Sequence, residues 1–102
     1  MLFLVISTPR PERPSTMVAK RQAYWRWLAP LQRTGLCRFV FARAGRGAVA
    51  LFDVDSIETL HRLLNEWAEI IPATFEVYPL IDPAQAQRFL GRTKARSGRK
   101  RS

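Results

Sequence analysis

The sequence predicts one α+β domain in which two helices pack on one face of a four-stranded antiparallel sheet. A chain of 102 residues is long enough for one hydrophobic core and too short for two. Strand-like segments and amphipathic helical patterns alternate along it in the order β-α-β-β-α-β. Gly45-Arg46-Gly47, between the two middle strands, is typical of a hairpin turn, because glycine adopts positive φ without steric cost.

The first part of the domain is predicted to be a strand, a stiff loop and a long helix. Leu2–Ile6 is an apolar run without alternation, as in a strand covered on both faces. The three prolines in Thr8–Pro14 predict a loop, because proline fixes φ and lacks a backbone donor. Ser15 or Thr16 is expected to cap a helix that runs to about Arg33.

The hairpin follows this helix directly. Pro30 should kink the helix or end its regular part, and Gly35 should stop it. Leu36–Arg43 and Ala48–Val54 are the predicted hairpin strands, and both are largely apolar on both faces. Strict alternation places Arg38 on one face together with its apolar neighbours two residues away.

The second helix is expected to begin at Ser56 and to bury the single histidine. Its apolar residues recur at helical spacing: Ile57, Leu60, Leu64 and Trp67. His61 falls on the same stripe, where a histidine is either a packed core residue or a functional group near neutral pKa.

The chain is expected to close with a last strand and a short helix. Thr74–Ile81 predicts the strand, and the helix should run from Asp82 or Pro83 to about Leu90. Two helices cover only one sheet face in this topology, yet the second face is also apolar. The sequence therefore predicts a homodimer or a larger ring.

Composition excludes several classes of protein. The hydrophobic fraction of 47% is that of a folded chain, and no apolar run reaches the roughly 20 residues of a membrane span. No basic segment precedes the apolar N-terminus, so we expect no secretory signal. Cys37 is the only cysteine in the sequence, so an internal disulfide is excluded, and this fits a reducing cytoplasm. We expect no metal and no cofactor, since His61 is the one histidine and no phosphate-binding or zinc motif is present.

The net charge of +9 is concentrated at the C-terminus. Six of the 17 basic residues lie in residues 92–102, which contain no acid, so residues 1–91 carry only +3. We therefore divide the chain into a domain, residues 1–91, and a basic tail, residues 92–102, expected to be disordered. Such a tail either binds nucleic acid through counterion release or simply adds solubility.

Several short motifs are informative together: Met1-Leu2-Phe3, Gly35 with Arg38 and Gly45, Phe52-Asp53-Val54, Ser56-Ile57-Glu58-Thr59-Leu60-His61, and Glu76-Val77. With the order of elements, they resemble the muconolactone isomerase-like family of dimeric α+β barrels, over roughly residues 1–90. The resemblance implies a ferredoxin-like fold, oligomers built through the sheet, and a pocket for a small lactone or related carboxylate between sheet and helices. Family members of known activity shift a double bond by moving a proton.

The resemblance also points to candidate catalytic residues. The family's first helix is rich in carboxylates near its end, whereas this chain has Tyr24–Trp27 there and no acid between Glu12 and Asp53. Proton transfer needs a base near the acidic carbon and a donor for the developing enolate. Arg38 matches the family's strand arginine and is the candidate anion or enolate stabiliser, and His61 is the candidate acid/base.

The candidate substrate-binding residues are Tyr24, Arg38, Phe39, Phe52 and Tyr78. Each candidate also has a structural alternative. For Arg38 it is a salt bridge to Glu76 or Asp53, and for the tyrosines it is a hydroxyl that simply reaches water. Cys37 is expected to be a small buried hydrophobe rather than a nucleophile.

The predicted function is that of a cytoplasmic protein of aromatic compound catabolism that binds a small lactone or cyclic organic acid. If it is an enzyme, it is an intramolecular isomerase that acts by proton transfer. The alternatives are a non-catalytic dimeric pathway subunit and a nucleic-acid-binding protein. An RNA-recognition module has the same element order, but Ala48 and Ala50 occupy the positions at which that module stacks bases on aromatic side chains. Any binding of nucleic acid is therefore expected from the basic tail.

Overall fold

The structure, a computed structural model, describes residues 1–91 and has a four-stranded antiparallel sheet with two helices on one face. The strands are β1 (Leu2–Pro9), β2 (Cys37–Ala42), β3 (Ala48–Asp53) and β4 (Ala73–Leu80), in the spatial order β2-β3-β1-β4. The helices are α1 (Val18–Thr34), α2 (Ile57–Ile70) and α3 (83–91). The predicted α+β class and element order are confirmed, and the predicted basic tail lies outside the described residues.

The start of α1 differs from the prediction, whereas its end agrees with it. Neither Ser15 nor Thr16 caps it, because a short 3₁₀ helix at Pro14–Met17 leads directly into its first turn. The helix also continues past Pro30, which is exposed, so that water can hydrogen-bond the carbonyl that the proline leaves free. Gly35 ends α1 in the left-handed conformation, at φ 85°, as predicted.

The core lies between the helices and one face of the sheet. Alternate residues of β1 and β3 point into it, among them Val5 and Phe52, which are fully buried. Leu28 of α1 and Leu63 of α2 close the core from above. β1 continues beyond its predicted end at Ile6 to Pro9. Proline is tolerated there because Pro9 is the last residue of the strand and lies beyond the residues that pair with β3.

The predicted start of α2 is correct, but the buried stripe of the helix differs from the prediction. Ser56 caps the helix by accepting a hydrogen bond from the backbone N–H of Thr59 at 3.2 Å. The buried residues of the helix are Leu60, Leu63 and Trp67. His61 is exposed and hydrogen-bonds with Asn65 one turn later, so its predicted place on the apolar stripe is wrong. The buried stripe runs through Leu63, one residue before the predicted Leu64.

The sheet face opposite the helices, called the open face below, is apolar and uncovered in the single chain. It carries Leu2, Leu4, Ile6, Phe39, Phe41, Val49 and Leu51. Phe41 is 66% exposed, and its ring packs only partly against Phe39, at 5.5 Å between ring centroids. The apolar second face that the sequence predicts is therefore present. Within residues 1–91, no helix combines the length and hydropathy that crossing a bilayer requires.

Candidate functional site

A cavity of about 210 Å³ lies between the first half of α1 and the sheet end at which β1 and β2 finish and β3 begins. Tyr24 and Trp25 of α1 form one wall, and Trp67 of α2 contributes to the interior. Ser7 of β1 and the turn between β2 and β3 form the opposite side. This volume is sufficient for a small organic molecule with a ring.

The aromatic wall is built from rings in direct contact. Tyr24 is 4% exposed, and its ring centroid lies 4.9 Å from that of Trp67 and 5.3 Å from that of Trp25. Trp25 is 49% exposed and therefore lies towards the mouth. Such a wall offers flat apolar surface to a planar ligand.

The hydroxyl group of Tyr24 is buried and has no hydrogen-bond partner among residues 1–91. Burial, with a smaller contribution from nearby Cys37, raises the pKa of Tyr24 well above its ordinary value. The phenol therefore stays protonated and is a neutral hydrogen-bond donor at physiological pH. Because a buried polar group without a partner is uncommon, this hydroxyl is a candidate ligand contact.

Arginines supply the charge of the site: Arg21, Arg43 and Arg46 line the cavity. Arg43 Nη1 donates to the carbonyl oxygen of Ser7 at 3.0 Å, and Arg46 Nη1 donates to the carbonyl oxygen of Glu12 at 2.9 Å. The Nε atom of Arg46 is buried and has no partner in the described part of the chain. These arginines make no ion pair with a carboxylate in residues 1–91, so the cavity is a cationic site.

The Gly45-Arg46-Gly47 turn places two of these arginines. The backbone N–H of Arg43 donates to the carbonyl oxygen of Gly47 at 2.9 Å, which closes the predicted hairpin. Both glycines have positive φ, 92° at Gly45 and 98° at Gly47. The turn thus sets where Arg43 and Arg46 enter the cavity lining.

Arg38 does not line the cavity, contrary to the position that strict alternation gave it. A bulge between Cys37 and Phe39 interrupts the pairing of β2 with β3, so the alternation shifts by one residue. Cys37 is buried on the helix side, while Arg38 is exposed and forms an ion pair with Asp53. The salt bridge to Asp53, the alternative to substrate binding, is what the structure shows.

Of the predicted substrate-binding residues, only Tyr24 lines the cavity. Phe39 lies on the open face, and Phe52 is fully buried in the core. Tyr78 is exposed on β4, where its hydroxyl donates to Glu76 Oε2 at 2.7 Å and this hydrogen bond raises its pKa. His61 also lies outside the cavity lining, so the structure does not bring the two predicted catalytic residues together there.

Sequence reasoning missed the arginines. Arg43 and Arg46 flank a glycine turn, and Arg21 lies one helical turn before Tyr24, so the spacing was available as a signal. The three arginines come together because α1 crosses the end of the sheet, and local sequence patterns carry no information about this crossing.

The described lining of the cavity contains no aspartate, glutamate or histidine, and residues 1–91 hold no cluster of three or more potential metal ligands. Burial raises the pKa of the Cys37 thiol to about 11, so it stays protonated, and it donates to the carbonyl oxygen of Phe39. The arrangement can bind an anion and donate a hydrogen bond to it, but these side chains provide no base at neutral pH.

Stability in acid is expected to depend on Asp53. The hydrogen bond from Arg38 holds the pKa of the Asp53 carboxyl group below its ordinary value. Such a group stabilises the folded state above its unfolded pKa, about 3.9, and this contribution is lost as the pH falls through the lower folded pKa. Thermal unfolding followed by circular dichroism should show Asp53→Asn below the wild type in Tm at neutral pH, with the gap closing below about pH 3. A gap that stays constant with pH would contradict this assignment.

Comparison with known proteins supports the resemblance and the fold. The crystal structure of muconolactone isomerase is 28% identical, with a TM-score of 0.64, and the match covers 81% of this chain and 92% of that chain. A second similar structure is that of 5-chloro-2-hydroxyhydroquinone dehydrochlorinase (TftG) from Burkholderia phenoliruptrix AC1100, in complex with 2,5-dihydroxybenzoquinone. It has a TM-score of 0.67 and 17% identity, and the match covers 83% of this chain and 98% of that chain. At this identity the match supports the fold alone. A comparison with curated proteins gave no match.

The resemblance to muconolactone isomerase and the ferredoxin-like fold are therefore confirmed. The family model described as Domain of unknown function (DUF3303) matches residues 1–94, nearly the whole chain. The chain belongs to this family.

Proposed function

We propose that this protein binds a small lactone or cyclic organic acid in the cavity beside Tyr24. The observation that carries the proposal is Tyr24, which lines a cavity that arginines also line and whose buried hydroxyl group has no partner within residues 1–91. The aromatic wall favours a ring, and guanidinium groups without counter-ions favour an acid. A ligand oxygen would accept the hydrogen bond that Tyr24 does not make within the protein.

Isomerisation by proton transfer is the activity that the likeness to muconolactone isomerase adds to this proposal. Tyr24 would donate to the enolate oxygen of the intermediate, and Arg46 would hold the carboxylate. Removal of the proton from carbon is the step for which the described lining residues supply no group. The cavity therefore supports binding more directly than catalysis, and a non-catalytic pathway subunit is the alternative that the experiment must separate.

A homodimer through the open face belongs to the same proposal. Alternate residues of β1 and β3 give that face a continuous apolar surface, which water would otherwise cover. A second copy of the sheet is an occupant of the right shape, because two such faces are self-complementary.

Replacing Tyr24 with phenylalanine is expected to weaken ligand binding about tenfold and to raise the free energy of unfolding by about 1 kcal/mol. The first effect follows from the lost donor, and the second from removal of a buried polar group without a partner. The experiment is proton NMR of the full chain with muconolactone in deuterated buffer. Line broadening measures binding, and loss of the ring proton signal measures exchange.

Arg38→Met and His61→Ala are the matched controls, because both residues lie outside the cavity lining. Both variants should bind like the wild type. Exchange that requires Tyr24 supports an isomerase, whereas binding without exchange supports the non-catalytic alternative. If lactones do not bind at all, or if only the two control variants lose binding, the cavity proposal is wrong.

A further inference from the structure

The arginines around the cavity come from two parts of the chain, the first half of α1 and the turn between β2 and β3. Arg21 is on α1, Arg43 directly follows β2, and Arg46 is inside the turn. Arg21 and Arg43 are exposed, whereas Arg46 is half-buried. All three arginines therefore contribute to the lining of one cavity.

Two of these side chains are held in place by neutral acceptors. Arg43 donates to the carbonyl of Ser7 and to Thr8 Oγ1, at 3.0 and 3.2 Å. Arg46 donates to the carbonyl of Glu12 at 2.9 Å. Carbonyl and hydroxyl oxygens orient a guanidinium group without neutralising its charge. The two cations are therefore held by acceptors from different segments, β1 for Arg43 and the loop after β1 for Arg46, and stay uncompensated within residues 1–91.

The part of the chain that the structure describes provides no counter-ion for them. The cavity lining within residues 1–91 contains no carboxylate, and Glu12 contacts Arg46 through its backbone only. The buried Nε atom of Arg46 still has an unused donor. A ligand with one negative charge would neutralise one guanidinium group and leave the other, whereas a ligand with two would neutralise both.

We propose that the ligand is a ring compound with two separate negatively charged groups, such as a cyclic dicarboxylate. This inference rests on the proposed function, since it specifies the acid that the same cavity binds. One group lies at Arg46, the other lies at Arg43, and the ring packs against the aromatic wall. A phosphate monoester carries both charges on a single group, so it is the competing ligand that separates a need for two charges from a need for two charged groups.

The test is isothermal titration calorimetry of the full chain with benzoate, the three benzenedicarboxylates and phenyl phosphate at neutral pH and low salt. At least one dicarboxylate should bind about tenfold more tightly than benzoate and than phenyl phosphate. The advantage should shrink in about 0.3 M salt, because the mouth of the cavity is exposed and its charges are screened.

Variants of the cavity arginines test whether these residues cause the preference for the dicarboxylate. Arg43→Met and Arg46→Met should each reduce the preference for the dicarboxylate to about threefold or less. Arg26→Met is the matched control, since this arginine is on the exposed side of α1 outside the cavity lining, and it should keep the full preference. If one cavity variant fails to fold, the other tests the same claim.

Several results would overturn the inference. Equal affinity for benzoate and every dicarboxylate, with binding that still depends on Tyr24, would refute the two-charge ligand and leave the proposed function intact. Tightest binding of phenyl phosphate would refute the separation of the charges. A preference that survives both Arg43→Met and Arg46→Met would place the anion site elsewhere. Absence of binding by all these compounds and by muconolactone would overturn the proposed function as well.

Discussion

Replacing Trp67 with alanine is expected to lower the free energy of unfolding by about 3–5 kcal/mol. Trp67 is 2% exposed, and its ring centroid lies 4.9 Å from Tyr24, 5.2 Å from Phe75 and 6.3 Å from Phe52. The substitution removes a large buried side chain that joins both helices to the sheet. The surrounding rings are rigid and cannot collapse into the space that it leaves.

Chemical denaturation followed by circular dichroism measures this loss, and Trp25→Ala is the matched control. Both tryptophans line the cavity, but Trp25 is 49% exposed, so its removal should cost less than about 1 kcal/mol. Ligand binding should weaken in both variants, because each removes part of the aromatic wall. Similar losses of stability in the two variants would show that Trp67 is not a centre of the core.

Much of this fold could be predicted because its signals are local. The cap at Ser56 and the stop at Gly35 depend on residues within one turn of each helix end. The glycine turn between β2 and β3 depends on positive φ, which few other residues adopt. The sequence also indicated an apolar second sheet face, because β3 is apolar at nearly every position. Each of these features is decided by neighbours along the chain.

The position of Arg38 could not be predicted for the opposite reason. A single bulge between Cys37 and Phe39 exchanges the two faces of the start of β2, and no proline or glycine marks it. The bulge allows Cys37 to be buried and Arg38 to reach Asp53. Which residue of a strand is the extra one is decided by packing across the sheet, and alternation alone cannot reveal it.

The candidate site was only partly predictable because it is a tertiary feature. Tyr24 was identified from its place on the first helix, where the family resemblance implies a carboxylate. Arg43 and Arg46 were not identified, since their approach to Tyr24 depends on the crossing of α1 over the end of the sheet. His61 was misplaced because the apolar stripe of α2 includes Leu63, one position away from the stripe expected from spacing.

Gly47→Ala is expected to lower the free energy of unfolding by about 2–4 kcal/mol and to weaken ligand binding. Gly47 has φ 98°, and a Cβ atom built on it lies 2.3 Å from the carbonyl oxygen of Ser7. Both atoms in this collision belong to backbone or are fixed to it, so the turn must move away from β1. The same carbonyl accepts the hydrogen bond of Arg43, and Arg46 is the preceding residue, so the movement displaces both cationic side chains.

Gly45→Ala separates the collision from the strain of positive φ. Gly45 has φ 92° but nothing within 4 Å of a built Cβ atom, so alanine there should cost only about 1 kcal/mol. Thermal unfolding and dicarboxylate titration of the two variants give the comparison. A larger loss of both stability and affinity in Gly47→Ala would show that the close approach of the turn to Ser7 holds the arginines in place. Equal losses would mean that backbone strain alone matters and that the arginines are positioned without this contact.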